Sequence, residues 1–580
     1  MNSSQHLRAR LSFGFIILAA LFLAATLYWT QIIEGDSYAA KADKQYVKPV
    51  GSLLDRGTIY FESKDGTRPA AATMQSGYLV YMNPSQLGDP TVAYQALSGY
   101  LTLDQGQFMA KAAKPNDQYE VMADQVDAST AQSIKSLAVN GIGVMPSSWR
   151  SYPGGSLAAH ELGLVGEDAR SSAVTGRYGL ENWYNNVLER PSGGATMNVF
   201  AQLFGGLDSV FGDNNAKEGD IVTTIDPTTE RYLEKVLNDT EARWHSDEIG
   251  GIIIDPQSGE IAAMSSLPTF DPNNTAAVSS INIFSNPLVE HVYEMGSIIK
   301  PLTMAMALDT GAEQPDSTYD DTGTMTLNGK TIANYDGRAR GVIPMQQILS
   351  QSLNIGAATI ALKTEHDIGQ GTMLKYFSRY GLDQKTGIDL PNEATGLISN
   401  LTPGPNRRDI SLATAAYGQG IAISPIETVR ALSVLANGGY LVTPHLVKEI
   451  DYSDGTIQKI SPVKIGPILS TTTVDDVRRM LVEVVDGTMA PVHPDIHWQN
   501  YSIAAKTGTA QIPDHVNGGY YPDRYLHSFF GFFPAYNPRF LVFLYQIYPK
   551  GAEYASETLT DPFSTIARFL INYYNITPDR

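Results

Sequence analysis

The alternation of apolar and polar positions divides the chain into three textures. From Leu11 to Ile33 no charge interrupts the run LSFGFIILAALFLAATLYWTQII, which is long enough to cross about 30 Å of hydrocarbon as one helix. Residues 34–215 mix short patterns of both periods, among them the extended patch Tyr78-Leu79-Val80-Tyr81-Met82 and a helical stretch from Asp127 to Ala138 opened by turn-prone residues. Gly205 to Gly219 (GGLDSVFGDNNAKEG) is rich in Gly, Asn and Asp and reads as a linker. Beyond it, Gly250 to Ser265 (GGIIIDPQSGEIAAMS) places a turn between two apolar runs and predicts a β-hairpin. Two further strands are expected within Leu526–Tyr548, on either side of Ala535-Tyr536-Asn537-Pro538. A last helix is expected to start at Pro562 and to bury Phe563, Ile566, Ala567, Leu570 and Tyr573 on that sheet. Strands thus flank a helix-rich middle.

The expected organisation is a cytoplasmic tail (1–10), a membrane anchor (11–33), a non-catalytic domain (34–215) and a catalytic domain (216–580). Arg8 and Arg10 precede the apolar run while Glu34 and Asp36 follow it, so the positive-inside bias leaves the N-terminus in the cytoplasm and the bulk outside. A cleaved signal peptide is the other reading, with Ala24-Ala25-Thr26 near a cleavage site; its apolar core usually spans about 7 to 15 residues, shorter than this run.

Charge and composition narrow the chemistry. The chain has 580 residues, 43% of them hydrophobic, and a net charge of -19. That is enough material for two or three packed domains, and it offers no broad cationic surface for a nucleic acid. Cysteine is absent, which removes disulfides, thiolate metal sites and a thiol nucleophile. His493 and His497 lie four apart, but Pro494 intervenes and no adjacent Glu completes a zinc-protease pattern.

Three short motifs remain. Ser297-Ile298-Ile299-Lys300 precedes Pro301 and a helix-compatible stretch ending at Gly311. Residues three apart share a helix face, so the Lys300 amine can lie within reach of the Ser297 hydroxyl. Pro301 is tolerated because it falls in the first turn. The amine can take the hydroxyl proton only when neutral, which requires burial or a second cation nearby. An ordinary helix cap is the other reading of Ser297. Ser352-Leu353-Asn354 falls at a junction between helical stretches, where both polar side chains can project into a cleft. Lys506-Thr507-Gly508-Thr509 follows an alternating run and belongs on a strand, where Gly508 permits close approach of a ligand. Each motif has a second copy: Ser461 with Lys464, Ser280 with Asn282, and Lys385-Thr386-Gly387. Only context and order select the set at 297, 352 and 506.

That ordered trio resembles the signature of penicillin-interacting serine acyltransferases. Longer strings are similar to the class B, monofunctional penicillin-binding proteins: Asp55-Arg56-Gly57, Arg150-Ser151-Tyr152-Pro153, Gly179-Leu180-Glu181, Gly418-Gln419-Gly420 and Asn437-Gly438-Gly439. The resemblance covers most of residues 50–550. It implies a membrane-anchored, multidomain α+β protein. An elongated α+β pedestal would precede a transpeptidase domain built of an antiparallel sheet flanked by helices and an all-helical subdomain.

The implied reaction is peptidoglycan D,D-transpeptidation. Ser297 would attack the D-Ala-D-Ala carbonyl of a stem peptide, and Lys300 would be the general base. Ser352 and Lys506 would relay the proton, and Asn354 would hold the acylated peptide. Thr507 and Thr509 would receive the substrate carboxylate beside Gly508, and the N–H groups of Ser297 and Thr509 would form the oxyanion hole. No metal or cofactor is called for. β-Lactams would acylate the same serine. Tyr293-Glu294-Met295-Gly296-Ser297 looks slightly more like the division-type subgroup, and a SEDS-type glycosyltransferase and other wall-synthesis membrane proteins are the implied partners.

The string departs from the family in having Met295 where Pro is common, and in lacking the usual continuation after Arg56-Gly57. About 180 residues before the linker carry no glycosyltransferase texture. The competing readings are a β-lactam-hydrolysing or β-lactam-sensing relative, and a structural division protein with a degenerate pocket.

Overall fold

The expected hairpin of residues 250–265 forms the edge of the sheet that carries the site. In the computed structural model, which describes residues 55–580 apart from 115–116, 168–173, 191–216, 279 and 406, strands β1 (Glu248–Ile254) and β2 (Ile261–Leu267) pair antiparallel. Three later strands, β3 (Ala504–Pro513), β4 (Tyr520–Phe533) and β5 (Phe540–Ile547), complete a five-stranded sheet in the order β3-β4-β5-β1-β2. Strands β1 and β5 are near-continuous apolar runs because both of their faces are buried.

Helix α1 (Pro227–Trp244) and the last helix, α5 (Ala555–Tyr574), pack against this sheet and against each other. Tyr232 stacks on Phe569 with ring centroids 3.9 Å apart, and Phe563 lies against Phe529 at 4.6 Å. The last helix begins seven residues before Pro562, where the sequence pattern placed its start. The Glu557 carboxylate accepts the backbone N–H of Glu553 at 3.2 Å and closes the first turn. Pro562 then costs only one interior helix hydrogen bond, a loss that the buried apolar face offsets.

Between β2 and β3 lie helices α2 (Lys300–Asp309), α3 (Asn354–Asp367) and α4 (Thr471–Glu483), with shorter helices around them. Residues 300–307 of α2 are all buried, so it is the central post of this part. The part is not all-helical as the resemblance implied. Thr318–Asp321 pairs with Gly341–Pro344, and Thr324–Leu327 with Lys330–Ala333. The second pair turns at Asn328-Gly329, both with positive φ, a two-residue hairpin signal that overrides the helical surroundings.

The chain divides into two compact units, one holding residues 76–149 and the other residues 55–75 and 150–580. In the first, helices Pro90–Ser98, Gln105–Ala112 and Ala128–Ser136 each start at an aspartate whose carboxylate accepts backbone N–H groups. The patch Tyr78–Met82 is strand, paired with Glu120–Val126. The run 11–33 and the linker up to Ala216 lie outside the described residues. Among the described residues no helix is long and apolar enough to cross a membrane.

The strings around Arg56, Arg150 and Glu181 meet in the second unit as one buried hub. Glu181 accepts from Arg56 Nε at 2.5 Å and from Arg150 Nε at 2.6 Å, while Arg56 also donates to the Glu181 carbonyl and Arg150 to the Gly57 carbonyl. All three side chains are about 1% exposed or less. Glu181→Ala would leave two guanidiniums buried without their counter-charge. It is expected to destabilise this unit by about 3–5 kcal/mol, read as a lowered urea midpoint.

Candidate active site

The first motif sits on a tight turn. Residues Gly296–Ile299 form one 3-10 turn that runs directly into α2, and Ser297 is 9% exposed at its start. The Ser297 side chain caps neither element, which removes the helix-cap reading. Pro301 stands in the first turn of α2, as its tolerance there requires.

Strand β3 holds that turn in place. A Cβ on Gly508 would come within 2.3 Å of Ser528 Oγ and 2.8 Å of the Met295 carbonyl, so only glycine lets the turn lie on the strand. On the Cβ side of Gly508 the close approach is made by the protein's own turn. Gly296, at φ +67°, similarly abuts the Thr509 main chain, which sets the backbones of Ser297 and Thr509 side by side. Ser528 donates to the Met295 carbonyl at 2.7 Å, and Gly296 N–H donates to the Gly418 carbonyl at 3.1 Å. Met295 is fully buried in this arrangement, so the departure from Pro leaves the turn anchored.

The second motif supplies the centre. Ser352 adopts φ +55°, an uncommon conformation for a residue with a Cβ. Its carbonyl and its hydroxyl both receive the Lys300 Nζ, at 2.5 and 3.3 Å. Asn354 Oδ1 accepts from the same amine at 2.9 Å, and Asn354 Nδ2 is anchored on the Ala333 carbonyl. From β3, Lys506 Nζ donates to Ser352 Oγ at 3.0 Å and to the Thr507 carbonyl at 3.0 Å. The Ser352 hydroxyl thus stands between two lysine amines.

Spacing along the helix predicted that Lys300 would reach Ser297. Its hydrogen bonds go instead to Ser352 and Asn354, because a long side chain ends where tertiary packing offers acceptors. Ser297 is left on the cleft wall beside them.

Electrostatics favour a neutral base. Burial, and then the neighbouring Lys506 charge, hold the Lys300 amine well below the usual lysine range. Burial brings Lys506 down to about 7. The Tyr417 ring, 5.9 Å from Lys300 Nζ, closes the apolar side.

Ser297, Ser352, Asn354, Lys506, Thr507 and Thr509 all line one cleft of about 600 Å³. Thr509 Oγ1 accepts from the Ala555 N–H at 3.0 Å, tying the start of α5 to the site strand. A π-helical segment, Val484–Met489, borders the opposite wall. His493 also lines the cleft, its Nδ1 3.8 Å from Asp561 Oδ1. Among the described residues no cluster of His, Asp or Glu has the arrangement of a metal site.

Sequence reasoning missed Ser528, Tyr335, Tyr525 and Tyr554. The register of β4 against β3 puts Ser528 opposite Gly508, a pairing that no local pattern announces. The duplicate motifs stand apart. Thr386 donates both its N–H and its hydroxyl to Glu393, Ser280 caps its own turn, and Lys464 lies on an exposed two-residue strand.

Comparison with known proteins agrees with this geometry. The family model "Penicillin binding protein transpeptidase domain" matches residues 249–566, and "Penicillin-binding Protein dimerisation domain" matches 55–223. Stage V sporulation protein D of Bacillus subtilis is 29% identical over 97% of this chain and 85% of its own length. Peptidoglycan D,D-transpeptidase FtsI of Escherichia coli is 25% identical over 98% and 92%. Among solved structures, penicillin binding protein 2X of Streptococcus thermophilus superposes with a TM-score of 0.69 at 18% identity, covering 90% of this chain and 81% of that one. Penicillin binding protein 3 of Mycobacterium tuberculosis, complexed with aztreonam, gives 0.66 at 21%, covering 91% and 98%. With more than half of its length matched to the transpeptidase model, the chain belongs to the penicillin-binding protein transpeptidase family.

Proposed function

We propose that the chain is a class B, monofunctional peptidoglycan D,D-transpeptidase acting through an acyl-enzyme on Ser297. The observation that carries this reading is the Ser352 hydroxyl held between Lys300 and Lys506, in the cleft that Ser297 lines. Lys300 takes the proton as Ser297 Oγ attacks the penultimate D-Ala carbonyl. The C–N bond to the terminal D-Ala breaks, and the relay through Ser352 and Lys506 delivers a proton to that leaving amine. An amine of a neighbouring strand then attacks the ester, forms the cross-linking amide and returns the hydroxyl to Ser297. The N–H groups of Ser297 and Thr509 hold the oxyanion, Asn354 holds the acylated peptide, and Thr507 with Thr509 receives the carboxylate.

The same reading places residues 11–33 in the bacterial cytoplasmic membrane with the N-terminus in the cytoplasm. It gives the chain a division-type role beside a SEDS-type glycosyltransferase. β-Lactams, which present a strained amide in place of D-Ala-D-Ala, acylate Ser297 and stay there.

The test is turnover of a D-Ala-D-Ala stem peptide with an amine acceptor, followed by the lifetime of the benzylpenicillin adduct. Cross-linked product, equimolar free D-Ala and an adduct stable for hours are expected. Adduct hydrolysis within a second would make the chain a β-lactamase.

A further inference from the structure

One histidine grips the chain on both sides of the residue that holds Thr509. His527 lies on β4 directly opposite Thr509 of β3, so the two side chains share a face of the sheet. It is fully buried, in a stretch (LHSFFGFF) whose other large side chains are apolar. Its Nε2 meets the Glu553 carbonyl at 3.1 Å, and its Nδ1 meets the Thr558 hydroxyl at 2.9 Å. Ala555 lies between these two partners in sequence, and its N–H donates to Thr509 Oγ1 at 3.0 Å.

The protons of this network follow from its partners. The Glu553 carbonyl can only accept, so Nε2 carries the ring proton. Burial brings the imidazole down to about 4, so it is neutral at ordinary pH, and Nδ1 accepts from the Thr558 hydroxyl. Glu553 is also fixed through its own N–H, which donates to Glu557. Ala555 is thus held from the residue two before it and from the residue three after it.

A buried imidazole is costly unless its nitrogens are bonded. Here both bonds go to the segment that enters α5 beside the cleft, and neither goes to the sheet that carries the ring. The Ala555 N–H occupies one lone pair of Thr509 Oγ1, so the Thr509 hydroxyl proton is turned away from Ala555. It is then available to an acceptor in the cleft that both residues line.

We propose that His527 is a positioning residue for substrate recognition: it sets the Ala555 N–H that orients the Thr509 hydroxyl toward the terminal carboxylate of the donor. The inference rests on the transpeptidase reading, in which Thr509 receives that carboxylate. It adds to that reading a residue of β4 that touches neither the substrate nor the reacting atoms.

The test uses two thioester donors that differ only at the leaving end, one a thioglycolate with its free carboxylate and the other the thioglycolamide. Each protein gives one ratio of kcat/KM, acid over amide, which cancels any general loss of activity. The unaltered chain is expected to prefer the acid by about thirtyfold, the reach of a hydrogen bond to a charged group. In His527→Leu the ratio should shrink to about threefold. The change should fall on KM for the acid with kcat nearly kept, because the carboxylate is bound in ground and transition states alike. His527→Gln, which can still donate to the Glu553 carbonyl, should recover most of the preference. Thr558→Val removes only the hydroxyl on Nδ1 and should lie between the unaltered chain and His527→Leu. A preference unchanged in His527→Leu and Thr558→Val, or a Gln variant no better than Leu, overturns the positioning role. An unaltered chain that forms the benzylpenicillin adduct but shows no acid preference removes Thr509 from carboxylate binding, and the role of His527 with it. Failure of the unaltered chain to form that adduct overturns the transpeptidase reading itself.

Discussion

Lys300→Met is expected to slow acylation by benzylpenicillin by about 10³-fold, within the range that a positioned general base supplies. Methionine nearly matches the lysine stem in volume, so the buried post α2 keeps its packing while the amine is lost. What changes is the chemistry. The Ser352 carbonyl, the Ser352 hydroxyl and Asn354 Oδ1 lose their shared partner, and the cleft loses the amine proposed as the base. The pH profile carries a second signature. Burial and the Lys506 charge depress Lys300, so the amine is a free base at a pH where an ordinary lysine is protonated. Lowering the pH through its folded value protonates it, and the rate of the unaltered protein falls. In Lys300→Met that limb should vanish, leaving a low and flatter profile. The second-order acylation constant measured across pH reads both effects; a loss under about tenfold would remove Lys300 from the base role.

The parts of the fold that depend on local alternation were legible before any coordinates. The hairpin at 250–265 and the paired strands on either side of residues 535–538 form as expected, because strands buried on both faces announce themselves as apolar runs. The last helix was legible in the buried Phe563, Ile566, Ala567 and Leu570 but not in Tyr573, which stays half-buried, nor in its start, since Pro562 sits inside it and the true beginning depends on Glu557 meeting the backbone of Glu553. The two hairpins within 318–344 were hidden by their helical neighbours, although Asn328-Gly329 carries the turn chemistry that makes the second of them.

The site was legible as three motifs and illegible as an arrangement. Order and context picked out 297, 352 and 506 over their duplicates, and these are the copies that share a cleft. The partner of Lys300 was not readable, because Ser352 lies 52 residues away and becomes its neighbour only through the left-handed turn at that serine. The reason for Gly508 was also tertiary: the strand must admit the turn that carries Ser297 and the Ser528 hydroxyl that fastens it. Tyr335, Tyr525 and Glu553 enter the cleft from three separate elements, and none lies in a recognisable motif.

Ser297→Ala carries the largest expected effect, complete loss of covalent adduct, because it removes the hydroxyl proposed as the nucleophile on the tight turn against β3. Removing one hydroxyl from a side chain that makes no cap leaves the turn held by Gly296, Gly508 and Ser528, so the fold should persist. Mass mapping of the benzylpenicillin adduct on the full chain and on Ser297→Ala tests this most directly. The account predicts one penicilloyl group on the peptide containing Ser297, and none anywhere in Ser297→Ala. An adduct on a different residue, or equal labelling of the two proteins, would contradict it.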